Sequence, residues 1–132
     1  AFWIKRGRTG FANDDIWGGS DCGSWGLGFH ADDTIFITNV CVNNVNSTGA
    51  ISDLNWHHVV VTYDGSNARF YIDGALDSSP SYSSGTFDSA AAAYTIGKVN
   101  GSAYFMGTLD DVRLYERVLS ASDIRTMYNN TK

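Results

Sequence analysis

The sequence predicts an all-β fold, an antiparallel β-sandwich closed by one short C-terminal helix, and three observations carry that prediction. Trp56 to Gly74, WHHVVVTYDGSNARFYIDG, sets two runs rich in β-branched and aromatic residues around Asp64-Gly65-Ser66-Asn67, a strong hairpin signal. Fourteen glycines against one proline, with few strong helix formers, favour strands and turns. Helical spacing of apolar residues is confined to the end of the chain, after Ser120.

A chain of 132 residues reads as a single domain, 1–132, long enough to bury a core. A hydrophobic fraction of 43% and an aromatic fraction of 14% exclude disorder. The net charge of −5 and the lack of a basic stripe argue against nucleic acid as a partner. No apolar run is long enough to insert in a membrane as a helix. The chain opens directly on a strand-like segment, without a signal peptide or initiator methionine. It is expected to be a processed chain or a piece of a longer one.

Phe2 to Arg6 forms the first strand. Gly7 to Ser24 reads as loop, with Phe11, Ile16 and Trp17 as isolated anchors. Trp25 to Val40 forms a hairpin that turns at His30-Ala31-Asp32-Asp33. With His30 facing Asp33, opposed residue numbers sum to 63, and Cys22 stands opposite Cys41 with Cβ atoms about 5 Å apart. A disulfide there would stabilise by about 3 kcal/mol and would imply an oxidising compartment. The alternative is two reduced, buried thiols. Metal binding by this pair would lack a third and fourth soft ligand.

Val42 to Asp53 is polar and Asn-rich and reads as loop. It carries the N-glycosylation pattern at Asn46; Asn100 and Asn129 head two further matches, in a turn and in the tail. Within the hairpin at 56–74, Val59, Val61 and Tyr63 lie on one face of the first run and His58, Val60 and Thr62 on the other; the return run puts Phe70 and Ile72 on one face and Tyr71 on the other. Both faces are substantially apolar, as in a central strand covered on both sides. One histidine of His57-His58 is expected in the core with a satisfied ring nitrogen, the other facing a loop.

Ala75 to Ala93, with Pro80, gives one edge strand and irregular backbone, its large apolar residues being Leu76, Tyr82 and Phe87. Tyr94 to Lys98 is a compact strand. Tyr104 to Tyr115 is a longer one with a bend at Gly107. Ser120-Ala121-Ser122-Asp123 has capping-box form with Asp in place of Glu, and Ile124, Met127 and Tyr128 then predict a helix of about two turns docked on the sandwich.

Several of these segments carry a family resemblance. They are Trp56 to Gly65, Phe70 to Gly74, Tyr94 to Gly97, Phe105 to Tyr115, and Arg117 to Ser120 followed by Asp123-Ile124. In order and spacing the chain resembles the laminin G-like jelly-roll domains of the concanavalin A-like lectin/glucanase superfamily, from Ala1 to about Tyr128. The resemblance implies two antiparallel sheets face to face, display outside the cell, and glycan or protein binding, sometimes with calcium. One departure stands out: family members carry strands before the segment matching Ala1 to Lys5. Their absence would leave unpaired edge hydrogen bonds and exposed apolar side chains near Thr108 to Tyr115. The missing strands are expected from a neighbouring chain or another stretch of the same protein, unless a trimmed sandwich closes on itself.

Glucanases on this architecture need two cooperating carboxylates, about 5 Å apart for retaining chemistry. Glu116 is the one glutamate, Asp110 and Asp111 point to opposite faces of a strand, and Asp14-Asp15 and Asp32-Asp33 are loop or turn pairs. No G-x-S-x-G element is present. The expectation is therefore a non-catalytic, secreted binding or adhesion module for a glycan or an extracellular protein. Trp17 and Tyr82 are its candidate stacking residues, with Trp25 assigned to the core. If calcium assists, Asp14, Asp15, Asp21 and Asp110 are the oxygen ligands to test. The alternative is a structural subunit of a fibre, filament, surface layer or virion, completed by strand addition from its own copies or another chain. A remnant glycoside hydrolase appendage is the lesser alternative.

Overall fold

A computed structural model describes residues 1–12, 14–19, 21–84, 93–99 and 103–131. Phe87 and the sequon at Asn100 lie outside that set. The described strands are β1 Phe2–Arg6, β2 Asp14–Gly18, β3 Trp25–Phe29, β4 Thr34–Asn39, β5 Asn43–Ala50, β6 Trp56–Tyr63, β7 Ala68–Ile72, β8 Ala75–Ser78, β9 Thr95–Ile96, β10 Lys98–Val99, β11 Ala103–Tyr104 and β12 Gly107–Asp110, followed by helix α1 Ala121–Thr131. Two antiparallel sheets of five strands form a sandwich, with orders β12-β1-β6-β7-β8 and β5-β4-β3-β2-β9; β10 and β11 pair separately.

The central strand behaves as its alternation predicts. Val59, Val61 and Tyr63 pack between the sheets with Phe2, Ile4, Phe29, Ile35, Phe70 and Ile72. Val60 and Tyr71 project from the other face into a second core with Leu119, Ile124 and Met127, so α1 covers that face. The helix starts where the capping box places it. Ser120 Oγ accepts from the Asp123 N–H at 3.1 Å, and Asp123 Oδ2 accepts from the Ser120 N–H at 3.2 Å. It runs for 11 residues, a turn longer than its apolar spacing suggests.

Four expectations about strands need correction. Gly7 to Ser24 contains β2, a buried strand. Val42 to Asp53 contains β5, an edge strand whose side chains are largely exposed. Tyr94 to Lys98 is broken into β9 and β10 by Gly97 at φ 83°, and Tyr104 to Tyr115 keeps strand structure only in β11 and β12. Beyond Asp110, Asp111 takes a left-handed φ of 49° and ends the ladder.

The hairpin register is also off by one. Opposed residues in β3 and β4 sum to 64, as in Leu27 with Ile37. The cause is a three-residue loop, Ala31–Asp33, with Asp33 at φ 64°, in place of a two-residue one; His30 N–H bonds the Thr34 carbonyl. Toward the cysteines the register slips back. Val40 donates to the Ser24 carbonyl and accepts from the Gly23 N–H, so two residues oppose one, with Gly23 at φ 91°. That bulge returns Cys22 to Cys41, and the two form the disulfide.

Candidate functional site

The outer face of the β12-β1-β6 sheet carries two cross-strand rows. Asp110, Trp3 and His58 are paired in one, and Thr108, Lys5 and Trp56 in the next. These are the positions whose strand neighbours Phe2, Ile4 and Val59 face the core, so alternation sends them outward. Helix α1 crosses beside the rows, and a recess of about 390 Å³ opens between them, lined by Trp3, Trp56, Asp73, Asp110, Tyr128 and Thr131.

Each wall is fixed by an identifiable contact. The Trp3 indole N–H donates to Thr131 Oγ1 at 2.9 Å, and that hydroxyl donates to the Met127 carbonyl at 2.8 Å. The Trp3 ring stacks on Tyr128, with centroids 5.7 Å apart, and lies 5.3 Å from the His58 ring. Tyr128 comes close because Gly74 has no side chain: a Cβ there would sit 3.0 Å from the Tyr128 Cβ, and its φ of +77° also favours glycine. Trp56, by contrast, has 42% of its surface exposed.

The acids differ in how they are held. Asp73 Oδ2 meets His57 Nδ1 at 2.8 Å and Asp73 Oδ1 accepts from the His58 N–H at 2.9 Å, so both oxygens serve the protein. Asp110 Oδ1 accepts from the Asp111 N–H at 2.7 Å; among the described residues its second oxygen has no assigned partner. His57 also meets Asp53 Oδ1 at 3.1 Å. Burial depresses the His57 pKa, but the hydrogen bonds and charges of Asp73 and Asp53 outweigh it and leave the pKa raised. His58 is buried and titrates below its ordinary value, first through desolvation and then through the nearby amino terminus. Its Nδ1 lacks a hydrogen-bond partner among the described residues, against the expectation of a satisfied ring nitrogen.

The residues singled out from sequence fall elsewhere. Tyr82 is 1% exposed and packs edge-on to Tyr63 in the core, so its ring offers no stacking surface. Trp17 is half-buried, edge-on to Trp25 at 4.3 Å and stacked on Tyr94 at 5.2 Å. The four acids do not converge. Asp14 is fully buried on β2, bonded to Arg8 and 3.8 Å from the Arg6 guanidinium; it is not a loop acid. Asp15 is buried on the opposite face of β2, Asp21 is exposed in the turn before Cys22, and Asp110 is at the recess. Among the described residues no group of three or more His, Cys, Asp or Glu is gathered to hold a metal. Asn46 is exposed on β5 and Asn129 on the last turn of α1, where loop and tail were expected. No described helix is long and apolar enough to cross a membrane.

The recess was not apparent from sequence, where Trp56 marks only the start of the central strand. Its signal was parity: Trp56 shares the outward phase of His58 and Val60, yet has no apolar partner in sequence to cover it.

Comparison with known proteins bears on the fold. Residues 1–125 match the family model of the concanavalin A-like lectin/glucanases superfamily. No curated protein sequence gives a match. Among solved structures, a Bacteroides ovatus protein described as carbohydrate-binding superposes with a TM-score of 0.71 at 17% identity, covering 94% of this chain and 38% of its own. Trypanosoma rangeli sialidase gives 0.69 at 19% identity, covering 98% of this chain and 22% of its own. The binding domain of botulinum neurotoxin serotype G gives 0.64 at 15% identity, covering 98% and 35%. The chain thus spans less than two fifths of the length of each of these three proteins.

Proposed function

The chain belongs to the concanavalin A-like lectin/glucanases superfamily, and from that premise we propose that it is a non-catalytic binding module whose ligand is a glycan held in the Trp3–Trp56 recess. The observation that carries the proposal is the exposed indole of Trp56 in the same recess as the Asp110 carboxylate. A flat aromatic face takes the C–H side of a sugar ring, and a carboxylate oxygen accepts from its hydroxyls. Lys5 and Thr108, in the adjacent row, supply donors at the rim. Asp73 props the floor, because both of its oxygens are occupied by His57 and His58.

Among the described residues lining the recess, Asp73 is committed to the histidines, which leaves Asp110 without the second carboxyl partner that glycoside hydrolysis needs. A carbohydrate-binding description for one structural neighbour supports the reading. The Cys22–Cys41 disulfide supports an oxidising compartment, hence a secreted module, and the sequons at Asn46 and Asn129 suit the same setting. A glycan array, with and without chelator, tests the ligand. The expected result is a discrete set of bound glycans, with Trp56→Ala and Asp110→Asn each weakening binding at least tenfold while the fold is retained. An array silent under both conditions, or binding indifferent to Trp56, would sink the proposal. Loss of binding only with chelator would assign calcium a part.

A further inference from the structure

The residues that line the recess share one chemistry. Trp3, Trp56 and Tyr128 are aromatic, Asp73 and Asp110 are acidic, Thr131 completes the set, and none is basic. Lys5 stands one row away, opposite Trp56, and does not line it. Lys132 follows the helix and lies outside the described residues.

Every wall favours positive charge. The face of an aromatic ring is the negative side of its quadrupole and attracts a cation. Among the described residues, arginines lie over Phe29 and Phe11, and no lysine or arginine lies over Trp3 or Trp56. Asp110 keeps one carboxylate oxygen without an assigned partner among those residues. Asp73 is bonded, but with Asp53 it faces a single imidazole, that of His57, so this trio is net negative in either protonation state of the ring. Thr131 is the last residue of α1. The recess therefore also meets the end of a helix, where carbonyls lack intrahelical partners and the dipole favours a cation. The last turn of α1 holds no basic residue to answer it.

We propose that the group seated in the recess is an ammonium: the ligand is a glycan bearing a free amino sugar, its protonated amine against Asp110 and its ring on Trp56. This rests on the reading of the recess as a glycan site and narrows the class of sugar. An N-acetylated unit lacks the charge, and a uronate or sialylated unit brings the opposite one.

Titration calorimetry of the full chain tests it with a glucosamine tetramer, the same tetramer N-acetylated, and a galacturonate tetramer. The glucosamine tetramer should bind at least tenfold more tightly than its N-acetylated counterpart, with no measurable uronate binding. Asp110 is exposed, and an amide oxygen can keep its bond to the Asp111 N–H. Asp110→Asn should therefore keep the wild-type circular dichroism spectrum and bring the ratio of the first two affinities close to one. Trp56→Ala retains every charge of the chain and should abolish binding of the glucosamine tetramer. A preference that survives Trp56→Ala would be bulk attraction of a cation to a chain of net charge −5, and would overturn the proposal. Equal affinity for the amine and N-acetyl forms, tighter uronate binding, or a preference unchanged in Asp110→Asn would each overturn it while leaving the recess as a site for other glycans. Amine binding that emerges only in Lys132→Ala would give the recess to the chain's own lysine and overturn it as well. A glycan array silent for every sugar would remove the glycan site itself, and this proposal with it.

Discussion

Arg6 holds its guanidinium 4.0 Å from the centroid of the Phe29 ring, at a buried end of the sandwich. Its Nη1 donates to Asp33 Oδ1 at 2.7 Å and to the Ile51 carbonyl at 2.6 Å, and Nη2 lies 3.8 Å from Asp14. One cation therefore ties β1, β2, the β3–β4 turn and the segment after β5. Removing a single partner of a buried ion pair leaves uncompensated charge, which costs about 3–5 kcal/mol. Arg6→Met should cost about that much in urea denaturation. Adding Asp33→Asn to Arg6→Met should recover part of the loss, because one stranded carboxylate is then gone. A cost below about 1 kcal/mol for Arg6→Met would show the cluster to be weakly coupled to folding.

The two adjacent histidines should titrate in opposite directions. His57 faces Asp73 and Asp53 and has a raised pKa; its contribution is complete below the unfolded value near 6.5 and disappears as pH rises through the folded value. His58 is buried, with a lowered pKa; its contribution is present above the unfolded value and is lost as pH falls through the folded value. The NMR titrations of the two rings should therefore bracket 6.5, His57 above and His58 below. Substituting His57 by Asn should reduce stability more at pH 5.5 than at pH 8.5. Equal losses at both would mean that the clamp to Asp73 does not depend on charge.

How much was legible in the sequence follows from which contacts are local. The faces of β6 and β7 can be read because Val59, Val61 and Tyr63 alternate with Val60 and Thr62, and both sets meet apolar partners. The capping box of α1 is likewise local. Strand β5 is invisible because its Asn, Ser and Gly residues have low strand propensity. It is held by pairing with β4 and by Ser47, whose Oγ accepts from the Ile35 N–H at 2.9 Å. Strand β2 is hidden for another reason: Asp14-Asp15 reads as turn until Arg6 and Arg8 arrive from a neighbouring part of the fold. At Val112 and Leu114 the alternation suggested a strand, but Asp111 turns the chain and no described strand pairs there. The recess is the least legible feature, since it needs Trp3, Trp56, Asp110 and Tyr128 from four separate elements.

Asp15 provides a test of both electrostatics and calcium. Burial first, and the Asp14 charge second, push its pKa up to about 6. The folded state then holds a proton that the unfolded state releases, so stability falls as pH rises from the unfolded value near 3.9 to about 6 and stays lower above it. Asp15→Asn keeps the shape and removes the charge. It should raise stability at pH 7 by up to about 3 kcal/mol, with the gain vanishing below about pH 4. A wild-type protein stabilised by calcium, and an Asn variant that is not, would reverse this reading and make Asp15 a ligand.

Trp3 and Trp56 line one recess but should respond differently to truncation. The Trp3 ring is stacked on Tyr128, and its indole N–H is bonded to Thr131, so it joins the sheet to the helix. Trp3→Ala should cost about 2–4 kcal/mol, below or within the range for a fully buried tryptophan, and should release the end of α1. Trp56 is 42% exposed, and its removal should cost under about 1 kcal/mol. If the recess holds a glycan, the functional ranking does not follow the stability ranking: Trp56→Ala abolishes binding in a protein that still melts near the wild-type temperature. Trp3→Phe keeps a ring on Tyr128 but loses the bond to Thr131, and should retain most binding. Thermal melts paired with calorimetry on the same samples check this, and a Trp56→Ala protein that binds normally would leave the recess a packing defect.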